Sequence, residues 1–181
     1  HIRRQRQMCI RDRQYADQGL ALTREVGQRY VEAYAQSFRA YAHYGLGQYA
    51  EAIDAYQNAL DLLSDMGLTN EAMAVKSGPA LVCLALGDLA GALAYVEEIL
   101  NHLETSGLEG TAEPLRVYLT CYRVLQAADD PRAGAVLEEA YTLLQETATK
   151  IDNERLQRSY LENVIPHREL IEEYQRVHEV W

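Results

Sequence analysis

GQYAEAIDAYQNALDL, residues 47–62, is the stretch that decides the fold of this chain. Its small and apolar residues recur every three or four positions, which is the spacing of one face of an α-helix. The Gly that opens it suits the end of a preceding helix, because Gly adopts the left-handed conformation without a side-chain clash. The stretch therefore predicts the second helix of a helical hairpin, entered through a glycine turn.

The same unit is written several times along the 181 residues. Three sets of positions repeat with a period of 40: Leu20, Leu60 and Leu100; Gly27, Gly67 and Gly107; Gly47 and Gly87. Helical runs between these glycines are joined by short turns, so neighbouring helices should pack antiparallel. Isolated hairpins cannot bury both of their faces, so we expect them to stack into an all-α solenoid.

Two copies share a pattern of small, aromatic and aliphatic positions. The first is Ala40, Gly47, Tyr49, Ala52, Tyr56 and Ala59; the second is Ala80, Gly87, Leu89, Ala92 and Val96. Small residues let two helices approach closely, and larger ones fill the space between hairpins. This pattern resembles the tetratricopeptide repeat, with a degenerate third copy at residues 129–144. The resemblance implies a right-handed solenoid that binds proteins and carries no catalytic residue.

These signals predict one repeat domain over residues 14–178. Its expected parts are a half repeat at 14–27, repeats at about 29–66, 69–106 and 111–150, and a capping helix pair at about 152–178. Pro79 lies inside the first helix of the middle repeat, where we expect a kink or a shortened helix. Because the half repeat lacks its first helix, its exposed Leu20, Leu22 and Val26 should favour fraying or self-association through the truncated hairpin.

The first 13 residues have a different origin. Residues 3–13, RRQRQMCIRDR, back-translate in frame to what looks like the transposon-end read primer of a common short-read sequencing kit. We therefore interpret residues 1–13 as translated adapter read-through, disordered or non-native, and exclude them from the fold. The alternative is a basic N-terminal arm, a type of segment that binds nucleic acid. The adapter interpretation implies that the reading frame begins within a gene.

The remaining composition is strongly acidic. Residues 14–181 hold 12 Lys and Arg against 26 Asp and Glu, a formal net charge of −14. Such a segment repels phosphate backbones, so we expect it to bind neither nucleic acid nor an anionic membrane. No apolar run approaches the roughly 20 residues that span a bilayer. Cys83 and Cys121 sit in apolar helical runs rather than in a disulfide framework, which favours a reducing, cytoplasmic location.

The candidate partner-binding residues follow from the family resemblance, in which the first helix of each hairpin lines the concave groove. Tyrosines and one serine form a stripe on the first complete hairpin: Tyr30, Tyr34, Ser37, Tyr41 and Tyr44. Tyrosine offers apolar area with a polar tip, which suits a wet groove, although such rings also pack between hairpins. Arg39, Arg116 and Arg123 could pair with a ligand carboxylate or with the chain's own glutamates. The family's basic clamp for a peptide carboxylate is missing, so an apolar or aromatic ligand is expected.

Catalytic and metal-binding motifs were sought at their known spacings. The histidines form neither an HExxH pair nor a cluster at zinc-ligand spacing. The chain also contains no GxxxxGK[ST] loop and no GxSxG elbow. We therefore expect no enzyme activity, no cofactor and no metal site in this segment.

Three functions remain open. Residues 22–29, LTREVGQR, and the tail 159–170, SYLENVIPHREL, resemble segments of the C-terminal repeat arrays of large bacterial signalling ATPases and transcriptional regulators. That resemblance implies a regulatory or ligand-sensing module whose partner is a protein, a peptide or another domain of the same parent chain. The alternatives are a stand-alone adaptor or peptide receptor, and the scaffold of an enzyme whose catalytic domain lies upstream.

Overall fold

The computed structural model describes residues 2–108 and 110–178, and within them every regular element is an α-helix. They form two compact units, residues 1–111 and 112–181. The first unit contains α1 (Ile2–Glu25), α2 (Arg29–Gly45), α3 (Tyr49–Asp65), α4 (Thr69–Ala85) and α5 (Leu89–Ser106). The second contains α6 (Pro114–Ala127), α7 (Ala133–Thr149), α8 (Glu154–Glu162) and α9 (Ile165–His178). The prediction of an all-helical fold with stacked adjacent helix pairs is confirmed.

Glycine turns connect the helices of the first unit. Gly47 has a φ of +75°, and the next amide, that of Gln48, donates to the His43 carbonyl at 2.9 Å. This left-handed turn satisfies carbonyls that the end of α2 leaves without a partner inside the helix. The other three glycine turns of this unit also have a glycine with a positive φ, at Gly27, Gly67 and Gly87. Each turn reverses the chain within three residues and sets the next helix against the last.

Alanines lie where the helices of the first unit meet. Ala40 of α2 and Ala52 of α3 are fully buried, and they share a core cluster with Ala55, Tyr56 and Val82. One period later, Ala80 and Ala92 are fully buried in the same way, as are Ala59 and Val96. A methyl-sized side chain at the crossing lets larger residues on either side reach the neighbouring helix. The core of this unit therefore consists of the residues at which neighbouring helices contact each other.

Helix α4 tolerates an internal proline. Pro79 does not shorten this helix, because α4 spans Thr69–Ala85 and has the same length as α2, 17 residues. The alternative expectation, a kink at Pro79, stays a prediction. Pro79 and the preceding Gly78 are both buried. Because proline has no amide N–H, one hydrogen bond is missing from the interior of the helix.

The connection between α5 and α6 differs from the glycine turns. Gly107 combines a φ of +67° with a ψ of −169°, which lies outside the left-handed helical region, in a region of backbone conformation that essentially only glycine adopts. Helix α5 ends at Ser106 and α6 begins at Pro114, and the boundary between the two compact units falls between residues 111 and 112. The single repeat domain expected over residues 14–178 stays a prediction.

The second unit is built around α6. Nine of its residues are buried, among them Val124 and Leu125, and α7 and α9 both pack against it. Leu144 of α7 and Leu170 of α9 are fully buried in this unit. Helix α8 buries no residue completely, so the cap is held mainly through α9. Helix α6 is thus the apolar centre of this unit, and α7 and α9 pack against it.

The N-terminal helix departs from the expectations at two places. Helix α1 begins at Ile2 rather than at about residue 14, so the helix includes residues that the adapter interpretation takes as disordered or non-native. Leu20 is buried, because α1 packs on α2, whereas Leu22 and Val26 are exposed as expected. The sequence pattern identified the apolar residues of this helix, but the burial of each depends on where α2 lies.

The close packing between α3 and α4 can be tested at Gly78. A Cβ atom built there would overlap the buried Tyr56 ring, so Gly78→Ala should lower the free energy of unfolding by about 1–3 kcal/mol through overpacking. Gly19→Ala is the matched control, because its Cβ atom meets nothing and alanine favours helix by about 0.5–1 kcal/mol. Urea unfolding would measure both changes. A neutral effect of Gly78→Ala would contradict this packing.

Candidate partner-binding surface

Four aromatic side chains follow one face of α2. Tyr30, Tyr34, Phe38 and Tyr41 lie four, four and three positions apart, which places them together on the helix surface. Tyr30 is 43% exposed, Phe38 54% and Tyr41 37%, and Tyr34 is half-buried. We call these four residues the α2 aromatic surface. Single exposed apolar residues are common, but a contiguous set marks a contact site.

The rings of the α2 aromatic surface support one another. The centroids of Tyr30 and Tyr34 are 4.9 Å apart, and those of Tyr34 and Phe38 are 6.5 Å apart. The Tyr30 hydroxyl donates to the Tyr34 hydroxyl at 3.3 Å. These tilted pairs lie at distances at which aromatic rings attract each other. The surface is therefore partly ordered before any partner arrives, which lowers the entropy cost of binding.

Two members of the predicted stripe have other roles. Tyr44 is half-buried and packs against the core cluster, with its ring centroid 6.0 Å from that of Tyr49. The Ser37 hydroxyl donates to the Ala33 carbonyl of its own helix at 3.0 Å. The structure therefore groups Tyr30, Tyr34 and Tyr41 at the surface and directs Tyr44 towards the core.

Sequence reasoning missed Phe38. It is the only Phe in the chain and the most exposed member of the α2 aromatic surface. The pattern contained a signal, because Phe38 follows Tyr34 by four residues, but the chosen stripe continued through Ser37 instead. Both positions satisfy helical spacing, and only the position of the neighbouring helices shows which one faces solvent.

The three candidate arginines pair with carboxylates of this chain. Arg39 approaches Asp17 at 4.0 Å. In the second unit, Arg116 donates to Glu113 at 3.0 Å and Arg123 donates to Glu169 at 3.2 Å. Arg116 and Arg123 thus belong to a different compact unit from the aromatic surface. The sequence left ligand pairing and intramolecular pairing open, and the structure shows intramolecular pairs.

A cavity that the sequence does not predict lies in the first unit between α3, α4 and α5. Its volume is about 430 Å³, which is within the range of small-ligand sites. Charged, polar and small side chains line it, namely Asp61, Ser64, Ala72, Lys76 and Glu98. Lys76 forms an ion pair with Glu98, and Gln57 donates to Asp61 at 2.8 Å. Because three helices form this cavity, no single stretch of sequence reveals it.

Burial favours the neutral forms of two side chains of α6, the Cys121 thiol and the Tyr118 phenol. Burial raises the pKa of the Cys121 thiol to about 12, and burial together with a hydrogen bond to Glu139 raises the pKa of Tyr118. A thiol with such a pKa carries almost no thiolate at neutral pH and is a poor nucleophile. Among the described residues, no group of three or more His, Cys, Asp or Glu side chains could hold a metal ion. The same residues contain no helix with the length and apolarity that crossing a membrane requires.

Two stacked ring contacts lie at the end of α9, and one of them joins this helix to α7. The centroid of the Tyr174 ring lies 3.7 Å from the ring centroid of Tyr141 and 4.0 Å from that of His178. The His178 imidazole faces the Tyr174 carbonyl at 2.8 Å and the Glu138 carboxylate at 2.7 Å. Both partners are acceptors, so both ring nitrogens donate only when the imidazole is protonated. The backbone bond and then Glu138 raise the pKa of His178 above its usual 6.5.

This contact predicts a pH dependence of the cap. Because the folded pKa of His178 is raised, its stabilising effect is complete below pH 6.5 and is lost as the pH rises through the folded value. The difference in melting temperature between the protein and His178→Ala should therefore be larger at about pH 5.5 than at about pH 8.5.

Glu138→Gln provides the control, because it keeps an acceptor but removes the charge that favours the imidazolium. An NMR titration of this variant should show a lower pKa for His178 than in the unchanged protein. A difference in melting temperature that grows with pH would contradict the assigned contact.

Comparison with known proteins identifies the repeat. Residues 33–65 match the family model for the tetratricopeptide repeat. No similar sequence was found among curated proteins. The chain is similar to a crystal structure from Podosopora anserina of nearly identical TPR-like repeats, described as kinesin light chain, at 16% identity and a TM-score of 0.50. The match covers 98% of this chain and 94% of that one.

A single-substitution variant of the same protein gives the same identity and TM-score, with 97% of this chain and 93% of that one covered. At this level of identity the likeness shows the fold. The predicted resemblance to tetratricopeptide repeats is confirmed.

Proposed function

We propose that this chain is a non-catalytic binding module whose α2 aromatic surface contacts a protein or peptide partner. Tetratricopeptide repeats generally mediate contacts between proteins, and residues 33–65, which match that repeat, include Tyr34, Phe38 and Tyr41. The observation that carries the proposal is the exposure of Phe38 and its aromatic neighbours on a single helix face. Large aromatic side chains supply most of the binding energy at many protein interfaces.

The chemistry of this surface favours a partner with apolar or aromatic side chains. Tyr30 and Tyr34 present ring faces beside a hydroxyl pair, and Phe38 adds a purely apolar ring. Rings with few rotatable bonds lose little entropy on binding, so they suit short peptide segments. The acidic chain, with a formal net charge of −10, further favours a partner that is neutral or basic.

The parent protein of this module is proposed from sequence resemblance. We infer that the module acts in the cytoplasm as the C-terminal regulatory part of a larger bacterial signalling protein. The segments at residues 22–29 and 159–170 support this inference. Its partner would then be another protein or a further domain of the same parent chain.

The binding proposal predicts a specific effect of Phe38→Ala. Peptides selected from a random phage-displayed library on the immobilised protein should lose about tenfold or more in affinity for this variant, as expected for a central aromatic contact. Fluorescence anisotropy with the labelled peptides would measure the dissociation constants.

Leu86→Ala is the matched control, because Leu86 is 61% exposed at the end of α4 and lies outside the α2 aromatic surface. Binding to this variant should be unchanged. Selected peptides that bind Phe38→Ala as tightly as the unchanged protein would overturn the assignment of the site.

The proposed parent protein is tested at the DNA level. Long-read sequencing of the source DNA across the codon of Gln14 should give a reading frame that enters from a nucleotide-binding or cyclase domain, without the adapter codons. A nearby start codon followed only by further repeats would instead indicate a stand-alone adaptor.

A further inference from the structure

A second face of α1 carries apolar side chains in solvent. Tyr15, Leu22 and Val26 are each more than half exposed, and Val26 continues the helix with a hydrogen bond to the Leu22 carbonyl at 3.1 Å. With Gly19 they follow steps of four, three and four residues, which is the spacing at which one helix contacts another along its length. We call these four residues the α1 seam. The residues of α1 that pack against α2, such as Leu20, are buried on a different face.

The later repeats show what lies against this face of a second helix. Ala59 of α3, one period of 40 residues after Gly19, is fully buried, because α2 and α4 pack against α3. His102 of α5 lies two periods after Leu22, and its Nε2 atom is 2.8 Å from the side-chain oxygen of Asn70 in α4. Since α4 and α5 form one hairpin, the face at this position contacts the antiparallel first helix of its own hairpin.

In α1 the same face is open. Among the described residues no helix precedes α1, and a Cβ atom built on Gly19 meets nothing within 4 Å. Gly19 therefore leaves a depression on the helix surface between the larger Tyr15 and Leu22. A large side chain of another helix can enter such a depression, as in the packing of paired helices.

The α1 seam also lies in the neutral part of an acidic chain. Residues 14–45 hold three arginines against three carboxylates, a formal net charge of zero. Residues 46–181 hold 9 Lys and Arg against 23 Asp and Glu, a formal net charge of −14. Like charges that face each other across an interface disfavour association. Two copies of this chain can therefore meet at the seam without the repulsion that their other surfaces would cause.

We propose that the α1 seam binds α1 of a second copy, as an antiparallel pair related by a two-fold axis. Leu22 of each copy lies over Gly19 of the other, and Tyr15 of each lies beside Val26 of the other. A parallel pair would instead set Gly19 against Gly19, which leaves a void between the helices.

The two-fold contact uses the same surface on both copies, so association stops at the dimer. It involves residues 15–26 only and does not rest on the function proposed for the α2 aromatic surface. In a longer parent chain, a preceding helix would compete with the second copy for this face.

Sedimentation velocity of the whole chain tests the proposal. Because the contact is smaller than a standard interface, the dissociation constant should lie above about 1 μM, and dimer should accumulate between about 5 and about 500 μM. Leu22→Asp should raise the dissociation constant about tenfold or more, because the dimer would bury two unpaired carboxylates. Leu156→Asp is the matched control, since this leucine of α8 has the same exposed fraction, 61%, and it should leave the constant unchanged.

The orientation of the pair is tested at Gln18. In the antiparallel register, Gln18 of each copy lies beside Glu25 of the other, and both positions are exposed in the single chain. Gln18→Lys adds two ion pairs and should lower the dissociation constant about two- to fivefold. Gln18→Glu adds two like-charge pairs and should raise it by a similar factor.

Several results would overturn the proposal. A chain that stays monomeric at about 500 μM has no such contact. A dimer that Leu22→Asp leaves intact but Phe38→Ala dissociates would assign self-association to the α2 aromatic surface. A dimer that dissociates as salt is raised would be held by opposite charges, because salt screens their attraction. Weaker association of Gln18→Lys would exclude the antiparallel register.

Discussion

The close crossing of consecutive helices at alanine is the constraint on which the first unit depends. Ala40 and Ala52 have no exposed surface, and Ala80 and Ala92 repeat that burial one period later. Between α3 and α4 the small residue is Gly78, and its missing side chain leaves room for the Tyr56 ring to pack against α4. The glycine turns serve the same end, since each places the next helix directly beside the last. Larger side chains at the crossings would separate the helices and open the core.

This constraint also determines which side chains are available for binding. The alanine face of α2 packs inside the unit, so the aromatic residues of the opposite side remain in solvent. Tyr44 is an exception among the aromatic residues of α2. It lies beside the turn, where it packs against Tyr49 and the core cluster. One helix thus provides both a core face and an ordered aromatic surface.

Repetition of the backbone does not require repetition of the chemistry. Gly27 and Gly67 have the same φ, yet an arginine with its glutamate partner lies beside the first turn and a cavity beside the second. A change from Arg24 to Ser64 alters charge and volume at the surface while the turn remains the same. A helical array can in this way vary the chemistry of its surface from one repeat to the next while the turns stay the same.

The sequence by itself determined the helices and turns, because both depend on interactions within about five residues. The glycine at residue 47 and the alanines at residues 40 and 52 could be placed from spacing alone, since helical periodicity is local. The tertiary structure decided which side of each helix is exposed. It placed Phe38 outside, paired Arg123 with Glu169 and formed a cavity from three helices. These features depend on residues that are distant in the chain, and helical spacing carries no information about which distant side chains will meet.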